Sequence, residues 1–185
     1  MLSIKRVGWE WELAGIQQLQ RENLFKNLVP GVAEKEGFVT AEYSFEFLKN
    51  LHGDCPSIVA VDGDKIAGYA LVALTSIRNF HDLLSDLFNA IDKVKYKGEF
   101  LKDKSYVVVG QLCVARDYRG QGLANRLYQF FRSQLSGQFD YCLTDVARDN
   151  PGSLKVHLKS GFQVVDTLQY GGLEWDIVLW DWNRA

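Results

Sequence analysis

The stretch from Ser105 to Leu135, SYVVVGQLCVARDYRGQGLANRLYQFFRSQL, restricts the fold of this chain more than any other. It opens on an apolar, β-branched run, Tyr106 to Val109, and continues through Gly110-Gln111-Leu112-Cys113-Val114 to Arg119-Gly120-Gln121-Gly122-Leu123-Ala124. Beyond that, Leu123, Leu127, Phe130 or Phe131, and Leu135 recur at helical spacing. The order is strand, glycine-bearing turn, amphipathic helix. Glycines let the backbone approach a bulky ligand with no Cβ in the way. The unpaired N–H groups of the helix's first turn then face whatever anion lies there. The stretch predicts a phosphate cradle.

The segment VARDYRGQGLA, Val114 to Ala124, resembles motif A of the GNAT superfamily of acetyl-CoA-dependent N-acetyltransferases. Arg119, Gly122 and Ala124 match that family's Q/R-x-x-G-x-G/A pattern. In an earlier frame Asp117 falls where Gln or Arg is expected, which bears on one side-chain contact and not on the backbone cradle. A second segment carries the resemblance further: Asn150, Ser153, His157 and Gly161-Phe162 resemble the family's closing motif, in which Asn begins a helix and Gly-Phe ends it. The resemblance implies a mixed seven-stranded sheet with helices on both faces and two central strands that splay apart. Pantetheine would lie between those strands against the main chain of Leu112, Cys113 and Val114, and the pyrophosphate on the amides of Arg119, Gly120, Gln121, Gly122, Leu123 and Ala124. Asn150 and Ser153 complete the expected coenzyme site.

Composition agrees with one soluble α/β domain over residues 1–185: 47% of residues are apolar, 24% charged, and the net charge is −2. Nothing there argues for nucleic acid or an anionic membrane surface as partner. Cys55, Cys113 and Cys142 are odd in number with no C-x-x-C spacing, so they read as reduced, mostly buried thiols, with no metal site and a cytoplasmic location. The first residues lack the apolar run of a signal peptide, and no later run reaches membrane-spanning length.

Along the chain, Leu2–Val7 reads as a strand. A helix from about Trp9 to Phe25 follows, with Leu13, Ile16 and Leu19 inside, Glu12, Gln17 and Arg21 outside, and a break at Pro30-Gly31. Phe45, Phe47, Leu48 and Leu51 suit a short helix that packs or floors a substrate cleft. Residues 57–61 and 66–74 form a hairpin around Asp62-Gly63-Asp64-Lys65. The long interval 76–104 holds one amphipathic helix from Phe80 to Ile91 and then a loop, Tyr96 to Lys104; it is a lid, an interface or a helix packed on the sheet. Tyr141–Ala147 is a strand, and Asn150-Pro151 starts a helix with Leu154 and Leu158 as its buried stripe. Phe162–Tyr170 and Trp175–Trp180 close the chain as a hairpin around Gly171-Gly172.

Acetyl transfer to an amine has three requirements, and the resemblance supplies a candidate for each. A main-chain N–H near Cys113 would hold the thioester oxygen; a donor of this kind is worth about 10²–10³ in rate. The Cys113 thiol itself reads as a strand residue, and the family transfers acetyl directly. His157 stands where the family commonly has a proton-donating Tyr, with a bound water as the rival donor. For the base, the strand 106–114 carries no acid, unlike family members with a Glu there; Asp145 on the paired strand is the nearest candidate, and a weakly basic or already neutral amine, or a water relay, fits the sequence better. A lysine amine near pKa ~10.4 costs roughly 4.6 kcal/mol to neutralise at pH 7, against about 1 for an α-amino group near ~7.8. Trp175, Trp180, Trp182 and Tyr170 wall an acceptor pocket or fill core, and Glu34, Glu36 and Glu42 attract a cation or are solvated.

The expectation is therefore an acetyl-CoA-dependent N-acetyltransferase acting on a small-molecule or peptide amine, with a homodimer left open. The alternatives are a non-catalytic acyl-CoA sensor, or a nucleotide-binding α/β protein that shares only the glycine turn.

Overall fold

In the computed structural model the described residues are 1–28 and 37–183. The expected break at Pro30-Gly31, and Glu34 and Glu36, lie outside them. The strands are β1 (Leu2–Arg6), β2 (Ile58–Asp62), β3 (Lys65–Ala73), a two-residue pair β4 (Lys95–Tyr96) and β5 (Glu99–Phe100), β6 (Tyr106–Val114), β7 (Tyr141–Ala147), β8 (Gln163–Tyr170) and β9 (Leu173–Asp181). The helices are α1 (Glu10–Asn23), α2 (Phe45–Asp54), α3 (Asp82–Ile91), α4 (Leu123–Leu135) and α5 (Pro151–Ser160). Seven strands form one sheet in the order β1-β2-β3-β6-β7-β9-β8, as the family resemblance implies. Only β6 and β7 in that sheet run parallel. β4 and β5 pair with each other in what the sequence reads as loop.

Two apolar layers hold the sheet. On one face α1, α2 and α3 bury Ile16, Leu48, Leu84, Leu87, Phe88 and Ile91. On the other α4 buries Leu127, Tyr128, Phe131 and Leu135 against Val107, Val178, Trp180 and Trp182. Each such side chain contributes on the order of 1.5–3 kcal/mol. Interval 76–104 is thus bound into the core through α3.

Three local expectations are corrected. Glu12 is fully buried, not outward: its carboxylate accepts the Gly8 and Trp9 amides at 2.8 and 3.1 Å and pairs with Lys5, so it caps α1. That helix stops at Asn23, whose side chain folds back onto the Leu19 carbonyl (2.8 Å) while Leu24 turns extended and bridges Val39. In α5 the inward stripe is His157 and Ser160, and Leu158 is 46% exposed. The Asn150 cap, which accepts the Ser153 amide at 3.2 Å, sets that rotation. The hairpin turn is as read: Gly171 and Gly172 both take left-handed φ, 59° and 77°, as a tight two-residue turn requires.

The feature that makes a site is where β6 and β7 part. They pair over only three residues, Tyr106–Val108 with Tyr141–Leu143. Just beyond, the Val109 carbonyl has lost its strand partner, and the Thr144 hydroxyl donates to it at 2.8 Å in the buried interior. Thr144→Val should leave that carbonyl unpaired and lower unfolding stability by about 1–3 kcal/mol, while Thr144→Ser stays near wild type. Urea denaturation midpoints measure both, and an unshifted valine variant contradicts this account of the splay.

Candidate active site

The wedge between the splayed strands is lined by main chain. In β6 the pairing with β3 slips from Leu71–Gln111 to Val72–Val109, which leaves Gly110 as a bulge. On the far side of the bulge the Ala115 amide donates to the Ala67 carbonyl at 2.9 Å. Orientation alternates along an antiparallel strand, so Cys113 also faces β3, opposite Tyr69. Leu112 and Val114 therefore turn their N–H groups into the wedge. The Val114 carbonyl is already taken by the Arg119 guanidinium at 3.0 Å, which also binds the Asn23 side chain and ties the turn to α1.

The turn after β6 delivers the cradle. A short 3₁₀ turn, Arg116–Tyr118, leads into it, and the Arg119 amide is consumed there by the Arg116 carbonyl at 3.2 Å. The open amides thus begin at Gly120, not at Arg119. Gly120 and Gly122 adopt φ of 72° and 75°, which only glycine takes without strain. A Cβ at either would meet no protein atom within 4 Å, so the space it would enter belongs to the cleft. Gly122 caps α4 with no side chain, and the first amide of that helix to find a carbonyl is Arg126, on Gly122 at 3.1 Å. Among the described residues the amides of Leu123, Ala124 and Asn125 have no protein acceptor. Gln121 turns its side chain back to the Asp117 carbonyl at 2.9 Å and offers only backbone.

These groups line a cavity of about 790 Å³ with Leu112, Cys113, Val114, Tyr118 and Ser153. Three helix-start amides with the positive end of a helix dipole fit a diphosphate, and two strand amides fit an extended amide arm. The residues present therefore fit acetyl-CoA.

A second cavity, about 60 Å³, adjoins the first; Phe38, Val39, Leu112 and Ser153 line both. It is bounded further by Thr40, Tyr43, Leu83, Gln111, Thr144, Asp145 and Trp175. The segment Phe38–Tyr43 is strapped over it by Asn150 Nδ2 to the Phe38 carbonyl (3.0 Å), Gln111 Nε2 to the Ala41 carbonyl (2.9 Å) and Gln17 Nε2 to the Tyr43 carbonyl (3.2 Å). Asn150, expected to touch coenzyme, spends its amide nitrogen here and its oxygen on the α5 cap. Trp175 reaches this wall, whereas Trp180 and Trp182 are core under α4. Glu42 pairs with Arg21 at 2.6 Å.

The three expected catalytic side chains fare differently. Burial pushes the Cys113 thiol up to about 12, so it is no nucleophile at neutral pH. His157 is buried, with Nδ1 on the Ser153 carbonyl (2.8 Å) and Nε2 on the Tyr128 hydroxyl (2.7 Å). Desolvation pulls its pKa down to about 4, so at pH 7 it is a neutral ring with both nitrogens engaged. That corrects the expectation of a general acid: His157 locks α5 to α4. Asp145 is the reverse case. Burial raises it to about 7, and its buried Oδ2 has no hydrogen-bond partner among the described residues. Sequence reasoning missed the strap and Leu83, because neither carries a motif; Gln111 is visible only as the residue where an acid is missing.

The profile of the family described as "Acetyltransferase (GNAT) family" matches residues 16–162, and the chain belongs to that family. It is an acetyltransferase that uses acetyl-CoA as co-substrate and an amine as acceptor. The fold is similar to NAA60 of Arabidopsis thaliana in complex with acetyl-CoA, at TM-score 0.68 and 19% identity, covering 98% of this chain and 99% of that one. It is similar also to a GNAT-family acetyltransferase of Streptococcus agalactiae (TM-score 0.68, 15% identity, 99% and 96% covered). The ribosomal-protein-S18-alanine N-acetyltransferase of Escherichia coli gives TM-score 0.65 at 12% identity, with 100% and 96% covered. A search of curated proteins finds no match. Among the described residues no helix is long and apolar enough to cross a membrane.

The raised Asp145 pKa has a stability consequence. An unfolded Asp ionises near ~3.9 and the folded one near 7, so between those values the unfolded chain loses its proton first. Folding stability therefore falls as pH rises from about 4 to 7. Asp145→Asn should unfold like wild type near pH 4 and be the more stable protein at pH 8, by at most about 4 kcal/mol. Denaturant titrations at both pH values measure it; equal stability at pH 8 contradicts the buried, unpartnered carboxyl.

Proposed function

We propose that the acceptor is the α-amino group at the end of a peptide, with Asp145 as the base that deprotonates it. The observation that carries this is the Asp145 carboxyl, half without a partner, facing a cavity that no Lys or Arg among the described residues lines. A base of pKa about 7 nearly matches an α-ammonium near ~7.8, so the proton moves at a cost of about 1 kcal/mol. A lysine ammonium, near ~10.4, is more than three pH units away. A free amino acid would bring its own carboxylate beside Asp145 with no cation to offset it, whereas a peptide places a neutral amide there. The peptide-directed names among the structural neighbours point the same way, the Escherichia coli enzyme by its S18-alanine substrate and NatC by its bound Gag peptide.

Acetyl-CoA supplies the activated acyl carbonyl; the rest is done by this chain. The Leu112 N–H, at the junction of the two cavities, donates to the acyl oxygen as negative charge gathers there. Asp145 takes the ammonium proton. The amine nitrogen then bonds to the acyl carbon as the carbon–sulfur bond breaks, and the second proton that nitrogen sheds to become an amide passes to the leaving sulfur, so CoA departs as its thiol. The leaving thiolate belongs to a thiol near ~8.5 and needs little acid help; Ser153, which also lines both cavities, is placed to steady it. We place the reaction in the cytoplasm, where the free thiols of Cys55, Cys113 and Cys142 stay reduced.

With a peptide acceptor, kcat/KM should rise with pH through a limb near 7. Asp145→Asn should lower kcat by about 10²–10⁴ and remove that limb. A peptide with a blocked terminus and a free lysine should be inert. Acetylation of that lysine, or a pH profile unchanged in the Asn variant, overturns the reading.

A further inference from the structure

We infer that α3 is the specificity wall of the acceptor site: through Leu83 at its tip it limits the size of the group beside the reacting amine. This rests on the α-amino reading above and goes beyond it. The helix is anchored by Leu84, Leu87, Phe88 and Ile91 in the core, and Leu83, its second residue, lines the small cavity. Its first turn is fixed by His81, whose Nδ1 accepts the Leu83 amide at 3.2 Å. The His81 ring stands edge-on to Tyr43 at 5.1 Å, and Tyr43 is stacked on Phe47 at 4.6 Å. Across the cavity Trp175 is held by its Nε1 on the Tyr170 carbonyl at 3.1 Å. Gln111 is pinned at both ends, by the Tyr69 hydroxyl at 2.5 Å and the Ala41 carbonyl at 2.9 Å.

Every wall is therefore tied to core or backbone and cannot swing aside cheaply. The space between them is small, about 60 Å³, and opens to one side, so a short group beside the amine fits and a long one meets the walls. Each further methylene forced against such walls costs about ten- to a hundredfold in kcat/KM.

The test is CoA release from acetyl-CoA with peptides that differ only in the first residue: Gly, Ala, Ser, Val, Leu or Phe. Wild type should favour Gly, Ala and Ser over Leu and Phe by tenfold or more. Leu83→Ala should raise the Leu-to-Ala ratio of kcat/KM at least fivefold. Leu83→Phe, which fills the space from the other direction, should lower the Ala-to-Gly ratio, so a poorly folded alanine variant does not remove the test. Wild type acting equally on Leu- and Ala-first peptides overturns the inference, as does either variant leaving its ratio unmoved. If no peptide is acetylated at all, the α-amino reading fails on its own. The size limit is then read on linear primary amines of rising length with the same three proteins, and an activity independent of length overturns it.

Discussion

Backbone amides that a sheet leaves unpaired must find partners elsewhere, and here β6 and β7 stop pairing after three residues. The remaining main chain of β6 runs on into a wedge, with Leu112 and Val114 turned away from β3. The fold covers carbonyls of this opening: Thr144 takes that of Val109 and Arg119 that of Val114. It leaves the amides further on uncovered, and then adds the uncapped start of α4. A coenzyme with an amide-bearing arm and a diphosphate satisfies both sets. Acetyl-CoA binding and the sheet's geometry are thus one arrangement.

The second constraint is electrostatic. β7 carries Asp145 to the end of the wedge, where its buried Oδ2 meets no hydrogen bond among the described residues, and Trp175 of β9 and Leu83 of α3 line the same cavity. The carboxyl is costly to ionise, which suits a group that must hold a proton and release it near neutrality. His157, a few residues on, shows the opposite use of burial. Desolvation keeps it neutral, and its two nitrogens bind α5 to Tyr128 of α4. One ionisable group was left without partners and the other was given two. That difference, more than residue type, decides which of the two titrates near neutrality.

The strand, turn and helix around Gly120 and Gly122 were legible from sequence, because β-branched runs, positive-φ glycines and helical spacing are local signals. So was the Asn150 cap. Glu12 and α5 were misread for one reason: spacing gives a stripe but not which polar residue a cap or a buried partner draws inward. Glu12 is claimed by the Gly8 and Trp9 amides, and His157 by Tyr128. The second cavity was legible only through Trp175, which the sequence offers as a pocket wall or as core. It joins Phe38, Leu83, Gln111 and Trp175 from four separate parts of the chain, and only the tertiary fold brings them together. The facing of Leu112 and Val114 has a similar source, since the Gly110 bulge that sets it is a property of the pair β3–β6.

The most direct measurement is an acetyl-CoA titration followed by the backbone amide resonances of the isotope-labelled protein. The account predicts that the largest shifts fall on Leu112 and Val114 in the wedge and on Leu123, Ala124 and Asn125 at the start of α4, with Cys113 and Arg119 moving less. Saturable binding that leaves those five amides unmoved, or no binding by the folded protein, would contradict it.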